Sequence, residues 1–142
     1  MQLLIVLNFG ASFGTLVLIW LVQILIYPSF EFLDRHRIQE AHRRHTQNIT
    51  WVVAPLVFFE VLVAALLVRQ SSELLTLVNA ALAGLAFATT ILYYSPLHAR
   101  FLKSSDLALL SKLRNTNWLR TVLWSLKFVT ALALLLLSLG DL

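Results

Sequence analysis

The chain has no cysteine and very little charge. None of its 142 residues is cysteine, which excludes disulfides, thiolate metal sites and CxxC redox chemistry. Charged residues make up 13% of the chain and hydrophobic residues 59%, whereas an ordinary soluble domain carries about 25% charged residues. A chain this apolar cannot cover a water-exposed surface with polar groups. We therefore predict that lipid surrounds much of it. We therefore expect one membrane domain over residues 1–142.

Four apolar runs are long enough to cross a bilayer as helices. They cover roughly residues 3–27, 51–68, 74–95 and 118–139, and each meets the roughly 17–25 residues that a ~30 Å hydrocarbon core requires. The first run has no basic segment before it and no small-residue cleavage pattern after it, so we expect a retained span. The predicted fold class is an all-α integral membrane protein, a bundle of four transmembrane helices.

The two long connections, residues 28–50 and 96–117, are strongly basic, and the helical spacing of their apolar residues predicts that both are helical in part. With the start of the fourth run they hold nine basic residues: Arg35, Arg37, Arg43, Arg44, Arg100, Lys103, Lys112, Arg114 and Arg120. The other side has Arg69 alone. This asymmetry predicts that both connections are cytoplasmic and both termini outside. We expect the basic residues to bind the bilayer's anionic lipid headgroups, and we do not expect a nucleic-acid partner.

A shift of 67 residues aligns the two halves of the chain. It places Ile24-Leu25-Ile26-Tyr27 on Ile91-Leu92-Tyr93-Tyr94, and Trp51 on Trp118. Both halves then share the order span, tyrosine, basic connection, interfacial tryptophan, span. We expect an internal repeat, two similar helical hairpins related by a pseudo-twofold axis along the membrane normal.

The same shift pairs Glu60 in the second span with Lys127 in the fourth. Each lies nine residues beyond its tryptophan, about 13 Å deeper along a helix and near the bilayer midplane. A charge there costs at least about 2.5–3.5 kcal/mol, so we predict that the two are partners, the alternative being a snorkelling lysine beside a protonated Glu60. Two interpretations of the pair remain. It is part of a catalytic site or proton relay, for which Arg120 is a further candidate residue, or it is a contact that only fixes which helices meet.

The four histidines of the chain, all on the basic side, form a second constellation, of which His42, His45 and His98 are the candidate metal ligands. His42 and His45 are three residues apart and share a helix face, while His98 lies in the other connection and His36 two turns before His42. Converging imidazoles could hold a metal or a haem, although neither HExxH nor the ExxH pairs of di-iron bundles are present. Interfacial histidines facing headgroups, or a proton-transfer role, are the alternatives. The sequence does not identify a cofactor.

Two segments of the chain carry a combination of motifs. They are His42-Arg43-Arg44-His45-Thr46, followed by Pro55 and Glu60, and Pro96-Leu97-His98, followed by Thr116-Asn117-Trp118-Leu119-Arg120-Thr121, Trp124 and Lys127. The pattern resembles that of small bacterial four-span membrane proteins of unknown function, which implies a bacterial inner membrane. The architecture is more distantly similar to the anthrone-oxygenase-like membrane proteins, for some of which an oxidative role is suggested.

Two classes of function fit the sequence. One is a membrane-embedded oxidoreductase or cofactor-binding protein that acts on a lipophilic small molecule. The other is a non-catalytic subunit or scaffold of a membrane complex. Proton or small-solute transport is disfavoured, because broken helices and inverted repeats are absent from the pattern. Gly10-x-x-x-Gly14 permits close helix contact and so a homo-oligomer. The sequence does not decide whether the protein is an enzyme.

Overall fold

The computed structural model describes residues 1–104 and 106–140, without the side chains of Glu31, Arg35 and His36. The predicted roles of Arg35 in the basic count and of His36 near the other histidines therefore lie outside the described residues. Within the two described ranges all regular secondary structure is helical and there is no strand. The predicted all-α four-helix bundle is confirmed.

The first helical hairpin consists of two long rods. The first rod runs through α1 (Gln2–Leu21), a π-helical stretch called here the first π segment (Val22–Ile26), α2 (Tyr27–Ser29) and a 3-10 turn (Phe30–Phe32). The second rod is α3 (Arg35–Gln70), with 36 residues. At 1.5 Å per residue α3 measures about 54 Å, far more than a ~30 Å hydrocarbon core. Its charged N-terminal part is therefore expected to project from the lipid.

The second hairpin also consists of two long rods. Its first rod runs through α4 (Leu74–Thr89), the second π segment (Thr90–Tyr94) and α5 (Ser95–Ser104), and its second rod is α6 (Leu107–Gly140). Asp106 caps α6, because its Oδ1 accepts a backbone N–H from the first turn at 2.9 Å. All four rods are long and apolar enough to cross a membrane, as expected for a multi-pass membrane protein.

The two basic connections are more ordered than the sequence predicted. Of residues 28–50, only Leu33 and Asp34 stand outside a helix, and of the described residues in 96–117 only Asp106 does. The helices continue past the apolar runs because their apolar side chains keep helical spacing and find partners there. The structure thus replaces two partly helical loops with helical extensions of the spans.

These extensions and the adjoining ends of the spans enclose a hydrophobic core. We call this end of the bundle, formed by residues 22–50, 90–104 and 107–120, the basic end. Its core consists of Val22, Tyr27, Phe30, Ile38, Tyr94, Leu97, Phe101, Leu110 and Leu113. The Nε2 of Gln39 also donates to the carbonyl of Leu102 at 2.7 Å. Both basic connections therefore lie at one end, as predicted, and they pack together as a cap.

The four rods surround a common axis. α1 packs against α3 and α6, and α4 packs against the same two helices. α3 and α6 therefore face each other diagonally across the bundle. Large apolar side chains remain on the outside, among them Phe58, which is 66% exposed, and Leu92, which is 76% exposed. An apolar outer surface is what lipid contact requires.

Both π segments end two residues before a proline, Pro28 in one case and Pro96 in the other. In an α-helix a proline ring clashes with the carbonyl four residues earlier, and the wider π turn moves that carbonyl away. Where α4 meets the second π segment, the hydroxyls of Thr89 and Thr90 donate to the carbonyl of Ala86 at 3.0 and 2.8 Å. The equivalent positions of the two segments favour the internal repeat, which stays a prediction.

Candidate functional site

Glu60 and Lys127 form an ion pair in the middle of the bundle. The Lys127 Nζ lies 3.0 Å from Glu60 Oε1, and both side chains are fully buried. Because Glu60 is on α3 and Lys127 on α6, the pair joins the two diagonal helices. The predicted partnership is therefore confirmed, and the alternative of a snorkelling lysine is wrong.

Polar side chains of α1 bind this pair, while Glu60 Oε2 and Asn8 Nδ2 have no hydrogen-bond partner among the described residues. The Lys127 ammonium donates to Asn8 Oδ1 at 2.7 Å and to Ser12 Oγ at 2.5 Å, in addition to Glu60. The Thr15 hydroxyl donates to Glu60 Oε1 at 3.3 Å. All three N–H groups of the ammonium thus have acceptors. We call these five residues the central cluster.

The polar residues of α1 in the central cluster were missed in the sequence. Asn8, Ser12 and Thr15 follow one another at intervals of four and three residues inside an otherwise apolar run. That spacing places all three on one face of the helix, turned away from lipid. A search for polar residues at helical spacing within each span would have found them.

A second polar assembly lies at the basic end. The Tyr27 hydroxyl is 3.3 Å from His98 Nε2, and His98 Nδ1 is 2.9 Å from His42 Nε2. The Nδ1 of His42 is buried and has no hydrogen-bond partner among the described residues. We call Tyr27, His98 and His42 the histidine chain. It joins α2, α5 and α3 through side chains that can each donate and accept.

The two imidazoles of the chain are held neutral by their surroundings. Both histidines lie beyond the apolar runs. His42 stands nine residues before Trp51, where the second run begins, and His98 stands three residues after position 95, where the third run ends. Burial, reinforced by the neighbouring His45, lowers the pKa of His42 to about 4. Burial, reinforced by His42, Arg120 and His45, lowers the pKa of His98 to about 3. Both rings are therefore uncharged at neutral pH and free to pass a proton.

His45 does not belong to the histidine chain. Its ring packs edge-on against Phe30, with 5.8 Å between the ring centroids. Two imidazole nitrogens that share a tetrahedral zinc lie about 3.3 Å apart, given Zn–N bonds of about 2.05 Å, whereas His42 and His98 approach to 2.9 Å. In the described part of the chain no three His, Asp or Glu side chains form a group that could hold a metal ion. The metal site at His42, His45 and His98 gains no support here and stays a prediction.

A cavity of about 580 Å³ opens beside the histidine chain, between the four rods. Most of its wall is apolar, with Val57, Phe87 and Trp124 among the lining residues. Its polar lining consists of Thr15, Tyr27, His45, Thr46, Thr50, Thr90, Tyr94, Ser95, His98 and Arg120. Apart from Thr15, which also contacts Glu60, these residues lie toward the basic end. The cavity thus has an apolar body and a polar mouth, which is the usual composition of a small-molecule site.

Arg120 is fixed at this cavity and not at the central cluster. Its Nε and Nη2 donate to Asn117 Oδ1 at 2.9 and 2.5 Å, and its guanidinium carbon lies 4.2 Å from the centre of the Tyr94 ring. Asn117 is held in turn, because its Nδ2 donates to Gln23 Oε1 at 2.8 Å. The structure therefore divides the three candidate catalytic residues, with Glu60 and Lys127 in one place and Arg120 in another.

Comparison of the chain with protein-family models, with curated proteins and with solved structures finds no match. The resemblance to small bacterial four-span proteins and to anthrone-oxygenase-like proteins therefore stays a prediction, and function has to be argued from the site itself.

Proposed function

We propose that the protein binds a lipophilic small molecule in the cavity and exchanges a proton with it through the histidine chain. The observation that carries this proposal is the chain itself, three groups in hydrogen-bond contact that lead from the cavity wall to a buried nitrogen. Tyr27 and His98 line the cavity, while His42 lies behind them and is fully buried. Acid–base groups at the wall of an apolar pocket are well placed for proton transfer to a bound ligand.

The histidine chain can pass a proton without becoming charged at rest. In one arrangement the Tyr27 hydroxyl donates to His98 Nε2, and His98 Nδ1–H donates to His42 Nε2. When Tyr27 accepts a proton from the ligand, its own proton moves to His98 Nε2 and the Nδ1 proton of His98 moves to His42 Nε2. His42 then holds protons on both ring nitrogens as an imidazolium, and the hydrogen bonds of the chain point in the opposite direction. The proton returns along the same path when the ligand is protonated again.

The cavity is accessible to molecules dissolved in the bilayer. Phe58 on α3 and Ile91 in the second π segment both line the cavity, and they are 66% and 50% exposed on the outer surface. Thr50 and Ala54, which also line it, are exposed as well. A lipophilic ligand can therefore enter sideways between the two hairpins. Its size suits the cavity, since small-molecule sites measure about 300–1,000 Å³.

Hydrogen exchange of a bound ketone tests the proposal. Dodecanophenone is an apolar probe whose α-hydrogens exchange with D₂O through acid–base catalysis, and mass spectrometry measures that exchange in nanodiscs. We expect the wild-type protein to accelerate it about 100-fold over empty nanodiscs, the size of an ordinary acid–base contribution. Ala54→Trp fills the cavity and should abolish the effect, whereas Ala65→Trp, on an exposed position of the same helix, should keep it.

Two results would count against the proposal in different ways. If dodecanophenone does not bind to the wild-type protein, the cavity is not a site for lipophilic ligands. If it binds but exchanges no faster than in empty nanodiscs, the histidine chain does not transfer protons to ligands. An oxidoreductase would use such a deprotonation as one of its steps, and that class stays a prediction.

The central cluster favours a second candidate, a non-catalytic subunit or scaffold. An ammonium whose three N–H groups all have acceptors is well suited to fix the register of α3 and α6. If the exchange test fails, this is the remaining candidate. Transport of protons or small solutes has no observation in its favour.

We propose that the basic end faces the cytoplasm, in a bacterial inner membrane. The support is the charge asymmetry of the sequence, nine basic residues on that side against Arg69. Anionic headgroups and a second copy of the chain are proposed partners at that membrane. Reporter fusions at both termini test the orientation, since a cytoplasmic signal at either terminus would reverse it.

A further inference from the structure

We infer that the ligand of the cavity is an amphipathic oxygen anion, a carboxylate or phenolate on an apolar body, whose charged group lies against Arg120. This inference rests on the proposed binding function and adds the chemical class of the ligand. Its evidence is a cation at the cavity wall without a counter-charge from the protein.

Arg120 has only neutral partners among the described side chains. Its guanidinium is bound by the amide oxygen of Asn117 and stacks on the ring of Tyr94. Among the carboxylates that the structure describes, Glu40 pairs with Arg43 and Arg44 at the surface, and Glu60 pairs with Lys127 in the centre. No carboxylate that the structure describes is paired with Arg120.

A charge in this position is expected to have a partner of opposite sign. Arg120 is half-buried beside a largely apolar cavity, and removing a cation from water is unfavourable unless an anion or strong acceptors replace the water. One amide oxygen, one aromatic face and the nearby neutral Tyr27 hydroxyl replace only part of it. The guanidinium has five N–H donors in a planar fork, a geometry that matches an oxygen anion.

The rest of the cavity mouth supports an anion more than a cation. No acidic residue lines the cavity in the described part of the chain. The neighbouring His45 and His98 are neutral at neutral pH because burial lowers the pKa of each, so they offer hydrogen bonds without a second charge. A phenol or carboxylic acid that gave its proton to the histidine chain would leave its anion beside Arg120.

The apolar part of the cavity decides what carries the anion. Below the polar mouth the wall is formed by side chains such as Ile19, Val57 and Trp124, which suit an acyl chain or an aromatic ring system. A fatty acid of the bilayer and a lipophilic phenol both have this combination of groups. Both ligands present an oxygen anion on an apolar body, and the experiment below tests each of them with its own pair of probes.

The test uses two pairs of probes that differ only in charge. Dodecanoate is compared with dodecanol, and a dodecyl-nitrophenol, whose colour reports its ionisation, is compared with its methyl ether. Kd values are measured in nanodiscs of phosphatidylcholine, which has no net charge. We expect at least one anion to bind about tenfold more tightly than its neutral analogue. The pair that shows the larger preference identifies the source as carboxylate or phenolate.

Variants of Arg120 connect that preference to one side chain. Arg120→Gln should abolish the preference for the anion, so that the anion and its neutral analogue bind to the variant with equal Kd values. Arg120→Lys keeps the charge and should retain part of the preference, which also controls for misfolding of the Gln variant. Arg69→Gln removes an exposed cation from the C-terminal end of α3, which is the end of the bundle opposite the basic end. This variant should leave the Kd values of all probes unchanged.

The outcomes separate this inference from the proposed function. If neutral and anionic probes bind the wild-type protein equally, or if Arg120→Gln retains the preference, the anion assignment is overturned while the cavity remains a site for lipophilic ligands. If no probe of either pair binds, the proposed function fails first. A bound nitrophenol that ionises at lower pH in the wild-type protein than in Arg120→Gln would confirm the assignment independently.

Discussion

The two polar assemblies of this protein differ in how the chain pairs their cations. In the central cluster, the Lys127 ammonium has a carboxylate and two further acceptors from the protein. At the basic end, Arg120 has no described carboxylate partner, and a cavity adjoins it. Both assemblies also contain buried polar atoms without a described partner, among them Glu60 Oε2, Asn8 Nδ2 and His42 Nδ1. The assembly whose cation has its counter-charge within the chain is suited to hold helices together, and the one whose cation has none is suited to bind an anion from outside.

Position along the bundle gives a physical reason for this difference. A charge deep in a bilayer has no water to hydrogen-bond, so Lys127 requires a counter-charge from the protein. His42 and His98 lie beyond the apolar runs, and Arg120 stands at the start of the fourth run, where a charge without a counter-ion is less unfavourable. A ligand-binding assembly is therefore easier to maintain there than in the centre.

The largest expected effect breaks the central cluster. Lys127→Met leaves Glu60 buried without its cation and should destabilise the protein by about 3–5 kcal/mol. Glu60→Gln combined with Lys127→Met removes both charges and should recover part of that loss. Unfolding of the purified protein in mixed detergent micelles measures both. Lys112→Met, at an exposed position of the same helix, is the control. A Lys127→Met protein as stable as the wild type would mean that the cluster does not hold the bundle.

The next effect separates chemistry from stability at the basic end. Tyr27→Phe removes the hydroxyl that begins the histidine chain and should lower the exchange of dodecanophenone about 100-fold, to the level of empty nanodiscs. Its effect on unfolding should stay within about 1.5 kcal/mol, the value of one hydrogen bond. Tyr93→Phe changes a neighbouring, partly exposed tyrosine and is the matched control. Equal exchange rates in both variants would remove Tyr27 from the mechanism.

Acid should weaken the basic end before it affects the centre. His42 and His98 are neutral in the folded protein because burial lowers their pKa values to about 4 and about 3, whereas in the unfolded chain they titrate near ~6.5. The unfolded state therefore binds more protons below that value, and the stability that these residues contribute is lost as the pH falls from about 6.5 toward 3.

His42→Phe tests this pH dependence directly. The slope of the free energy of unfolding against pH reports how many more protons the unfolded state binds than the folded state. Near pH 5 this difference should be about one proton smaller in His42→Phe than in the wild-type protein. His45→Phe alters a neighbouring histidine outside the chain and serves for comparison. An unchanged slope in His42→Phe would show that this ring is already protonated in the folded protein.

The smallest effect is expected from an ion pair outside both assemblies. Glu40 binds Arg43 and Arg44 on the exposed surface of α3, at 2.8 and 2.6 Å. Exposed pairs contribute little, because water and salt screen them. Glu40→Gln should leave the unfolding midpoint unchanged within error. A shift as large as that of Lys127→Met would remove the distinction between buried and surface charges on which the comparison depends.

The features that the sequence predicted correctly are those that the bilayer enforces. Span length gave the four helices, and the unfavourable energy of an isolated charge in lipid gave the pairing of Glu60 with Lys127. The positions of Asn8 and Ser12 were missed because hydrophobicity averaged over a span hides single polar residues. The face they share was nevertheless readable from their spacing.

The arrangement at the basic end was beyond the sequence for a different reason. Outside the lipid, a basic segment is compatible with a loop, a surface helix or a packed cap, and only tertiary contacts choose among them. His42 and His98 come together because α5 packs against α3, which no spacing along the chain predicts. For the same reason Arg120 was grouped with Glu60, although its partners Asn117 and Tyr94 place it at the cavity.

The two π segments have a consequence for how this fold tolerates change in length. A π turn holds one residue more than the α-helical turn it replaces, so it acts as a single-residue insertion in the helix. Everything beyond it is rotated by about 100° compared with an uninterrupted α-helix. Tyr27 and Tyr94, both buried at the cavity, lie at the far ends of these segments. Deleting one residue from either segment would restore a regular helix and turn that tyrosine toward the lipid. The direction in which the cavity wall faces thus depends on the one extra residue in each π segment, whatever side chains line the wall.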